Sequence, residues 1–166
     1  MRILTITAEF APFAKVGGLA DVAAGLSAWL AGRGHHVVAV LPYYGILREQ
    51  GVRAEPHAVV GPLPAGPPAR RYTLHPPAGP PPARASGFEP DIVHCHDWHA
   101  SAAALMLQDP ARRHPVFRSA YSVLTIHNIG YQGSFDAAVL ERAGEGGLLP
   151  LFPAEDTVAG RINFLR

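Results

Sequence analysis

The sequence predicts an α/β fold in which helices flank a parallel sheet, within a single domain over residues 1–166. The first observation is a short apolar and β-branched run, Ile3–Ala8, which is typical of a strand buried on both faces. A helical pattern follows it, and then a second buried run, His36–Leu41, which Pro42 ends. A strand, a helix and a strand in this order predict a right-handed crossover between parallel strands.

The remaining elements extend the same pattern. In the first helix six apolar residues recur at helical spacing, and Gly32 with Gly34 signals its end. These residues, predicted to form one buried face, are Leu19, Val22, Ala23, Leu26, Trp29 and Leu30. Further strands are predicted at Asp91–Cys95 and Ser122–Ile126, with a helix rich in Ala and Leu between them, over about Trp98–Gln108.

Two stretches have a weaker pattern. Gly61–Pro90 holds ten of the seventeen prolines, and proline neither donates to a β-ladder nor continues a helix. This stretch is therefore predicted to be an irregular insert with at most a short edge strand around Arg71–Leu74. The tail from Phe135 carries one or two short helical patterns.

Composition excludes several classes of function. A formal net charge of +1 and scattered arginines leave no basic stripe to neutralise a nucleic-acid backbone. The single cysteine, Cys95, excludes an internal disulfide framework and suits a reducing compartment. The N-terminal run is too short for a secretory signal, and no apolar run reaches membrane-spanning length. We therefore expect a soluble, cytoplasmic protein with no nucleic-acid or membrane partner.

The only lysine of the chain, Lys15, stands in the run Lys15-Val16-Gly17-Gly18, between the first strand and the first helix. Glycines allow backbone N–H groups to approach an anion, and a helix start adds unpaired donors and the positive end of a dipole. This run therefore indicates phosphate binding. The alternative is a surface lysine beside a turn.

Polar clusters follow three of the predicted strands. They are Lys15–Gly18, His96–His99, and His127-Asn128 with Tyr131-Gln132-Gly133. The carboxyl ends of parallel strands meet at one edge of the sheet, where ligands of open α/β folds bind. The common placement of the clusters favours a crevice for a small molecule.

Several other chemistries are disfavoured by spacing. The glycines lack both the dinucleotide fingerprint and the Walker pattern, and no Gly-x-Ser-x-Gly elbow supports a hydrolase. His94, His96 and His99, with Cys95 and Asp97, are competent zinc ligands, but on a strand Cys95 points away from His94 and His96. No metal site is predicted.

The residues between 94 and 98 divide into packing and site residues. His94, Cys95 and Trp98 are interpreted as packing residues. Asp97, just past a strand end, is interpreted as a group that could bond a sugar hydroxyl or position a reacting group.

Three ordered blocks carry a resemblance to a known family. The first runs from Glu9 through Pro12 and Lys15-Val16-Gly17-Gly18 to Leu19-Ala20-Asp21-Val22. The second is His94-Cys95-His96-Asp97-Trp98-His99-Ala100, and the third is Thr125-Ile126-His127-Asn128-Ile129 with Tyr131-Gln132-Gly133. Together they closely resemble bacterial glycogen synthase and plant starch synthase. The terminal run Gly160–Leu165 resembles a helix start of that family.

The resemblance implies the N-terminal half of a GT-B glycosyltransferase, in which two Rossmann-like domains face each other across a cleft. The family transfers glucose from ADP-glucose to the non-reducing end of an α-1,4-glucan, with retention of configuration and without a metal or other cofactor. By position, Lys15, Gly17 and Gly18 would contact the donor diphosphate, Asp21 would lie near the acceptor, and His127 would lie against the donor sugar, in a pocket that Asp97 helps to shape. The further substrate-binding residues by this resemblance are Glu9, Asn128, Tyr131 and Gln132.

Two departures from the family leave alternatives open. The region before Asp91 is shorter and richer in Pro, Gly and Ala than the family's, and the sequence ends at Arg166, without the family's C-terminal nucleotide-binding domain. The expectation is that residues 1–166 alone do not turn over. The alternatives are a non-catalytic module that binds glucan or a partner, and a domain of another GT-B enzyme that uses UDP-glucose.

Overall fold

The computed structural model describes residues 1–62, 68–75, 88–109, 115–152, 154, 157 and 160–165. Its strands are β1 (Arg2–Ile6), β2 (His36–Val40), β3 (Arg53–Pro62), β4 (Pro68–His75), β5 (Ile92–His96), β6 (Tyr121–Thr125), β7 (Ser134–Asp136) and β8 (Arg161–Asn163). Its α-helices are α1 (Gly18–Gly32), α2 (Gly45–Glu49), α3 (Asp97–Gln108) and α4 (Ala138–Arg142). Short 3-10 helices span Pro115–Phe117 and Gly146–Leu151.

The central sheet is parallel and has the order β2-β1-β5-β6, so the predicted α/β fold is confirmed. Leu4 pairs with Val38 on one side and with Val93 on the other, which makes β1 an interior strand. The chain leaves β1 toward β2 and later continues from β5 toward β6 on the opposite side. Right-handed crossovers in opposite directions place α1 and α3 on opposite faces of the sheet.

The core between the sheet and α3 depends on the alternation of β5. Val93 and Cys95 are almost fully buried and pack with Ala100 of α3 and with Leu4 and Ile6 of β1. Because successive strand residues face opposite sides, the two histidines of β5 lie on the other face. The sequence prediction that Cys95 points away from them is confirmed.

The buried face of α1 agrees in part with the predicted one, because Ala23 is buried and Leu19, Leu26 and Leu30 are half-buried. Val22 and Trp29 are 48% and 55% exposed, whereas Ala20, Ala23 and Ser27 are buried. The spacing of apolar residues therefore predicted the helix and most of its inner face, but it wrongly included Val22 and Trp29. The guanidinium of Arg33 lies 3.9 Å from the Trp29 ring centroid, which gives this exposed indole a local partner.

The insert predicted to be irregular is in part a hairpin. β3 and β4 form a separate antiparallel sheet, so the proposed short strand at Arg71–Leu74 is part of a longer one, and β3 was not predicted. The irregularities of register fall between Pro56 and Ala58 and between Val60 and Pro62. A two-stranded sheet has two edges, where the missing N–H of proline is tolerated. Residues 63–67 and 76–87 of the insert lie outside the described residues.

The predicted helix start at Gly160–Leu165 is wrong. Residues Arg161–Asn163 form β8, which pairs antiparallel with β7. Ile162 is 1% exposed and packs in an apolar cluster with Leu140, Leu148 and Phe152. This burial, made possible by residues far away in sequence, outweighs the local pattern. In the part of the chain that the structure describes, no helix is long and apolar enough to cross a membrane.

Candidate functional site

The three polar clusters lie at the carboxyl edge of the parallel sheet, as the sequence predicted. The loop after β1, the start of α3 after β5 and the loop after β6 all leave this edge. The strand order reverses between β1 and β5, and such a reversal opens a crevice in α/β sheets. The candidate site is therefore built around this position.

The carboxylate of Glu9 closes the glycine loop. Its Oε2 atom accepts hydrogen bonds from the backbone N–H groups of Val16 and Gly17, each at 2.9 Å. Bonds from two N–H groups to one carboxylate are charge-assisted and hold the loop against the end of β1. Two donors expected to face an anionic ligand are thus occupied by a side chain of the protein itself. The position of Glu9 in the site was predicted, but this contact was not.

Lys15 forms an ion pair with Asp21, one turn into α1. Its Nζ atom lies 2.8 Å from both carboxylate oxygens of Asp21, and both side chains are more than half exposed. An exposed pair of this kind contributes little to stability and separates readily in favour of a stronger partner. The pair therefore holds the ammonium beside the glycine loop and leaves it free to exchange.

The start of α1 has open donors. Gly17 is its N-cap, and no side chain among the described residues caps the helix. A Cβ atom built on Gly17 or Gly18 would meet nothing within 4 Å, and the φ of Gly17, −140°, suits any residue. Neither packing nor backbone conformation within the described residues requires glycine at these two positions. A ligand that approaches the backbone closely would require it.

Asp97 joins the loops after β5 and β6. Its carboxylate accepts hydrogen bonds from the backbone N–H groups of His127 at 2.7 Å and of Asn128 at 3.3 Å. Asp97 is 7% exposed and has a φ of +57°, a left-handed conformation that Asp tolerates better than most residues. Its carboxylate is thus used to position the backbone of the His127 loop.

His96 belongs to a predicted polar cluster but had no predicted role, and the structure places its ring against His127. Its Nδ1 atom lies 2.9 Å from Nε2 of His127, and the two rings are nearly parallel. The ring centroid of His94 lies 4.2 Å from that of His96, and Nε2 of His94 lies 2.7 Å from the Thr125 hydroxyl. The alternation His-x-His on a strand that ends at a ligand-binding edge was the available signal.

Burial sets the protonation of this cluster. It lowers the pKa of His96 to about 4, helped by the positive charge that His94 and His127 carry when protonated, although Asp97 acts in the opposite direction. Desolvation is also the main cause of the lowered pKa of His94. At neutral pH the buried imidazole of His96 is therefore uncharged.

Burial also shifts the pKa of a side chain on the opposite face of β5. Desolvation raises the pKa of the Cys95 thiol to about 11. A protonated thiol buried in the core is unreactive, in agreement with the predicted packing role of this residue.

The negative charge of Glu9 affects the pKa of two other groups near the site. It raises the pKa of Tyr44, for which desolvation is the larger cause. It opposes the lowering of the His99 pKa, in which desolvation again dominates. The loop after β1 is thus electrostatically coupled to the residues that follow β2 and β5.

The loop after β6 is held by its own side chains. Asn128 accepts a hydrogen bond from the N–H of Gly130 at 2.9 Å, and Gln132 accepts one from the amide of Asn163 in β8 at 2.7 Å. Two of the predicted substrate-binding residues therefore have structural partners. Tyr131, the third, is 73% exposed.

A cavity of about 400 Å³ lies beside this loop. Its lining residues are Trp98, Gly130, Tyr131, Gln132, Gly133, Ser134 and Phe135. Trp98, predicted to pack in the core, is half-buried and contacts Phe135 and Phe164 while also facing this cavity. Gly133 has a φ of +65°, and a Cβ atom there would lie 2.6 Å from the indole. The indole of Trp98 and the backbone of Gly133 are thus packed closely together in one wall of the cavity.

The structure brings most of the predicted residues into two groups. Lys15, Asp21 and Glu9 surround the glycine loop, and Asp97, His127 and Asn128 form the corner between β5 and β6. Among the described residues, no group of three or more His, Cys, Asp or Glu side chains is arranged to hold a metal ion.

Comparison with known proteins agrees with this architecture. The profile of the family described as starch synthase catalytic domain matches residues 2–76 and 78–166. Glycogen synthase 2 of Geobacter metallireducens is 30% identical over 211 residues, which cover 100% of this chain and 43% of that protein. Glycogen synthase of Moorella thermoacetica is 30% identical over 175 residues, 85% of this chain and 36% of that protein.

A solved structure has the same fold. The catalytic domain of starch synthase IV from Arabidopsis thaliana, bound to ADP and acarbose, superimposes with a TM-score of 0.74 and 28% identity, over 98% of this chain and 42% of that one. The chain thus spans about two fifths of these relatives. The resemblance noted in the sequence is confirmed, and the chain belongs to the family of starch synthase catalytic domains.

Proposed function

We propose that this chain supplies one wall of the active site of an α-glucan glucosyltransferase that uses ADP-glucose. The observation that carries the proposal is the pairing of an exchangeable lysine with an uncapped helix start, at the sheet edge that also presents His127. The starch synthase IV structure with ADP and acarbose supports a nucleotide and a glucan-like sugar as ligands of this fold.

The reaction breaks the bond between C1 of glucose and the diphosphate oxygen, and ADP leaves with the electron pair. A bond forms between C1 and the terminal 4-hydroxyl oxygen of the glucan, which loses its proton, and the anomeric configuration is retained. Negative charge develops on the diphosphate and positive charge on the sugar carbon. Preorganised donors that face the diphosphate would stabilise this separation of charge.

The proposed roles follow from the contacts. Lys15 exchanges Asp21 for the diphosphate, and the open donors at Gly18 and beyond bind its oxygens. Because Glu9 occupies the N–H groups of Val16 and Gly17, its role is to shape the loop. Release of Lys15 frees the Asp21 carboxylate for hydroxyl groups of the acceptor.

Further roles concern the sugars. His127 contacts the donor sugar, and Asp97 positions it through the backbone. The exposed ring of Tyr131 offers a surface for the acceptor glucan, with Asn128 and Gln132 holding its loop. We place this reaction in the cytoplasm, which is consistent with a single, buried, free thiol at Cys95.

Titration of the ¹⁵N-labelled chain with ADP-glucose tests the proposal. We expect shifts at the amides of Gly17, Gly18 and His127, with millimolar affinity, which corresponds to about −4 kcal/mol. Lys15→Ala should weaken binding by about tenfold or more, since a charge-assisted hydrogen bond contributes about 1.5 kcal/mol or more. Arg33→Ala, which removes a cation at the opposite end of α1, is the matched control and should bind as the parent does.

Equal affinities of the Lys15→Ala and Arg33→Ala variants would contradict the proposal, as would shifts confined to the opposite end of the sheet. The same titration with UDP-glucose tests the alternative donor, and equal or tighter binding of UDP-glucose would contradict the assignment of ADP-glucose. Binding of a glucan with no response to either nucleotide sugar would favour a non-catalytic module.

Residues Met1–Arg166 alone are expected not to extend glycogen. One wall can orient the donor, but without an opposing wall the developing charge is solvated by mobile water instead of fixed dipoles. Labelled glucose from ADP-glucose should remain outside the glycogen fraction. Robust incorporation by a preparation whose mass matches these residues alone would contradict this expectation.

A further inference from the structure

His96 occupies an unusual position for a polar side chain. It is 1% exposed, and one ring nitrogen, Nδ1, contacts Nε2 of His127 at 2.9 Å. The other nitrogen, Nε2, is buried and has no hydrogen-bond partner among the described residues. His96 thus has one nitrogen in contact with His127 and one without a polar neighbour among the described residues. These contacts restrict which nitrogen of each ring can carry the proton.

Two arrangements of neutral rings are compatible with the short contact. In the first, Nδ1–H of His96 donates to Nε2 of His127, and the buried Nε2 of His96 is an unpaired acceptor. In the second, Nε2–H of His127 donates to Nδ1 of His96, so the single proton of His96 sits on its buried Nε2 without an acceptor. An orphaned buried N–H is the defect that folded proteins most consistently avoid. The first arrangement is therefore favoured.

We infer that His96 is a positioning residue that fixes the tautomer of His127, donating from Nδ1 to Nε2 of that ring. Neutral His127 then carries its own proton on Nδ1. Asp97 holds the backbone of the same residue by its N–H, so both the main chain and the ring of His127 are oriented from the interior. This combination resembles the way a second group sets the tautomer of a catalytic histidine in many sites.

The rest of the cluster is consistent with this assignment. The Thr125 hydroxyl is a partner for His94, so His94 does not compete for either nitrogen of the His96–His127 contact. The lowered pKa of His96 keeps this ring neutral at physiological pH, so it has a single proton to place. His127 itself is exposed, and its Nδ1–H is available to donate to an oxygen of a ligand in the crevice. That the ligand is the glucose of ADP-glucose rests on the proposed function.

The test is the ¹⁵N NMR spectrum of the imidazole nitrogens, recorded at about pH 8, well above the usual histidine pKa of about 6.5. Protonated and unprotonated ring nitrogens resonate in well-separated regions. In the parent chain we expect the proton of His127 on Nδ1. A spectrum with that proton on Nε2 would overturn the inference without any variant being made.

Two substitutions of His96 separate positioning from packing. The side-chain amide of His96→Asn places an N–H near the position of Nδ1, whereas His96→Leu fills the space without a donor. The Asn variant should keep the parent tautomer of His127, and the Leu variant should shift the proton toward Nε2 or give a mixture. An unchanged tautomer in a folded His96→Leu chain would overturn the inference.

The affinity for ADP-glucose gives an independent readout. His96→Asn should bind within about twofold of the parent, and His96→Leu about fivefold more weakly, as for loss of one well-placed hydrogen bond. The expected tautomer in a chain that binds no ADP-glucose would overturn the proposed function while leaving the positioning role intact. The unexpected tautomer in a chain that binds ADP-glucose normally would overturn the positioning role of His96 and leave the proposed function intact.

Discussion

The carboxylate of Asp97 and the backbone N–H of His127 are joined by a 2.7 Å hydrogen bond between residues 30 positions apart in sequence. Asp97 begins α3, and His127 follows β6, so this bond fastens the start of a helix to the loop after the neighbouring strand. Its acceptor is a nearly buried carboxylate in the left-handed region of φ. The contact gives Asp97 a structural role without assigning it a chemical step.

Asp97→Ala is expected to lower the free energy of unfolding by about 2–4 kcal/mol, because it leaves the His127 N–H unpaired and puts alanine at a positive φ. Urea unfolding of Asp97→Ala, Asp97→Gly and Asp97→Asn separates the causes. Glycine relieves the backbone strain but not the lost hydrogen bond, and asparagine preserves an acceptor and tolerates the conformation. If all three variants match the parent, the bond has no structural importance.

Glu9→Gln is expected to strengthen binding of ADP by about threefold to tenfold. The amide oxygen can still accept from Val16 and Gly17, so the loop keeps its shape, but one negative charge beside the diphosphate is removed. Glu9→Ala should weaken binding, because the loop loses both anchors. Glu141→Gln, an exposed change in α4, is the control for net charge and should leave the ADP affinity unchanged in an NMR titration. Weaker binding by Glu9→Gln would mean that Glu9 contacts the ligand directly.

Gly133→Ala should destabilise the chain by about 2–4 kcal/mol, since it combines a positive φ with a Cβ atom too close to the indole. The Trp98 ring lies 2.6 Å from that Cβ position, so the ring or the loop must shift. Gly25→Ala is the matched control, because it has open space in the interior of α1 and should stabilise by about 0.5–1 kcal/mol. Thermal unfolding with tryptophan fluorescence reports both effects, and equal behaviour of the two variants would contradict the crowding argument.

Stability is expected to fall as the pH is lowered from 6.5 toward 4. The pKa of His96 is depressed from 6.5 to about 4, so between these values the unfolded chain binds a proton that the folded chain excludes. The contribution of neutral His96 to the free energy of unfolding is fully present above pH 6.5. It is lost progressively below that pH, by up to about 3 kcal/mol. His94 and His99 add to the same trend, since their pKa values are also lowered.

Urea unfolding across this pH range should therefore give a shallower decline for His96→Asn than for the parent chain. Asparagine has no proton to take up, so only the contributions of His94, His99 and the carboxylates remain. Parallel declines in the two proteins would show that His96 titrates normally in the folded state.

Local patterns in the sequence predicted the succession of strands and helices along the chain and the edge of the sheet at which its polar clusters gather, whereas the strand order β2-β1-β5-β6 came from the structure. The predicted strand Ser122–Ile126 differs from β6 by one residue at each end, because the apolar and β-branched run that predicts a strand is local. The family blocks are also local, so they identified the glycine loop and the His127 corner. Periodicity identified the inner face of α1 only in part, since the exposure of Val22 and Trp29 depends on how the helix packs on the sheet.

Tertiary structure alone decided which partner each polar group has. Glu9 closes the glycine loop, Gln132 bonds Asn163, and His96 bonds His127, although these residues are separated by up to 31 positions. Such contacts depend on strand register and on loop geometry, which spacing along the chain does not encode. The same holds for β8, where the local pattern of Gly160–Leu165 suggested a helix, but pairing with β7 and burial of Ile162 stabilise a strand. Local sequence patterns thus predict which polar residues lie at the carboxyl edge of the sheet. Long-range packing determines which hydrogen-bond partner each of them has.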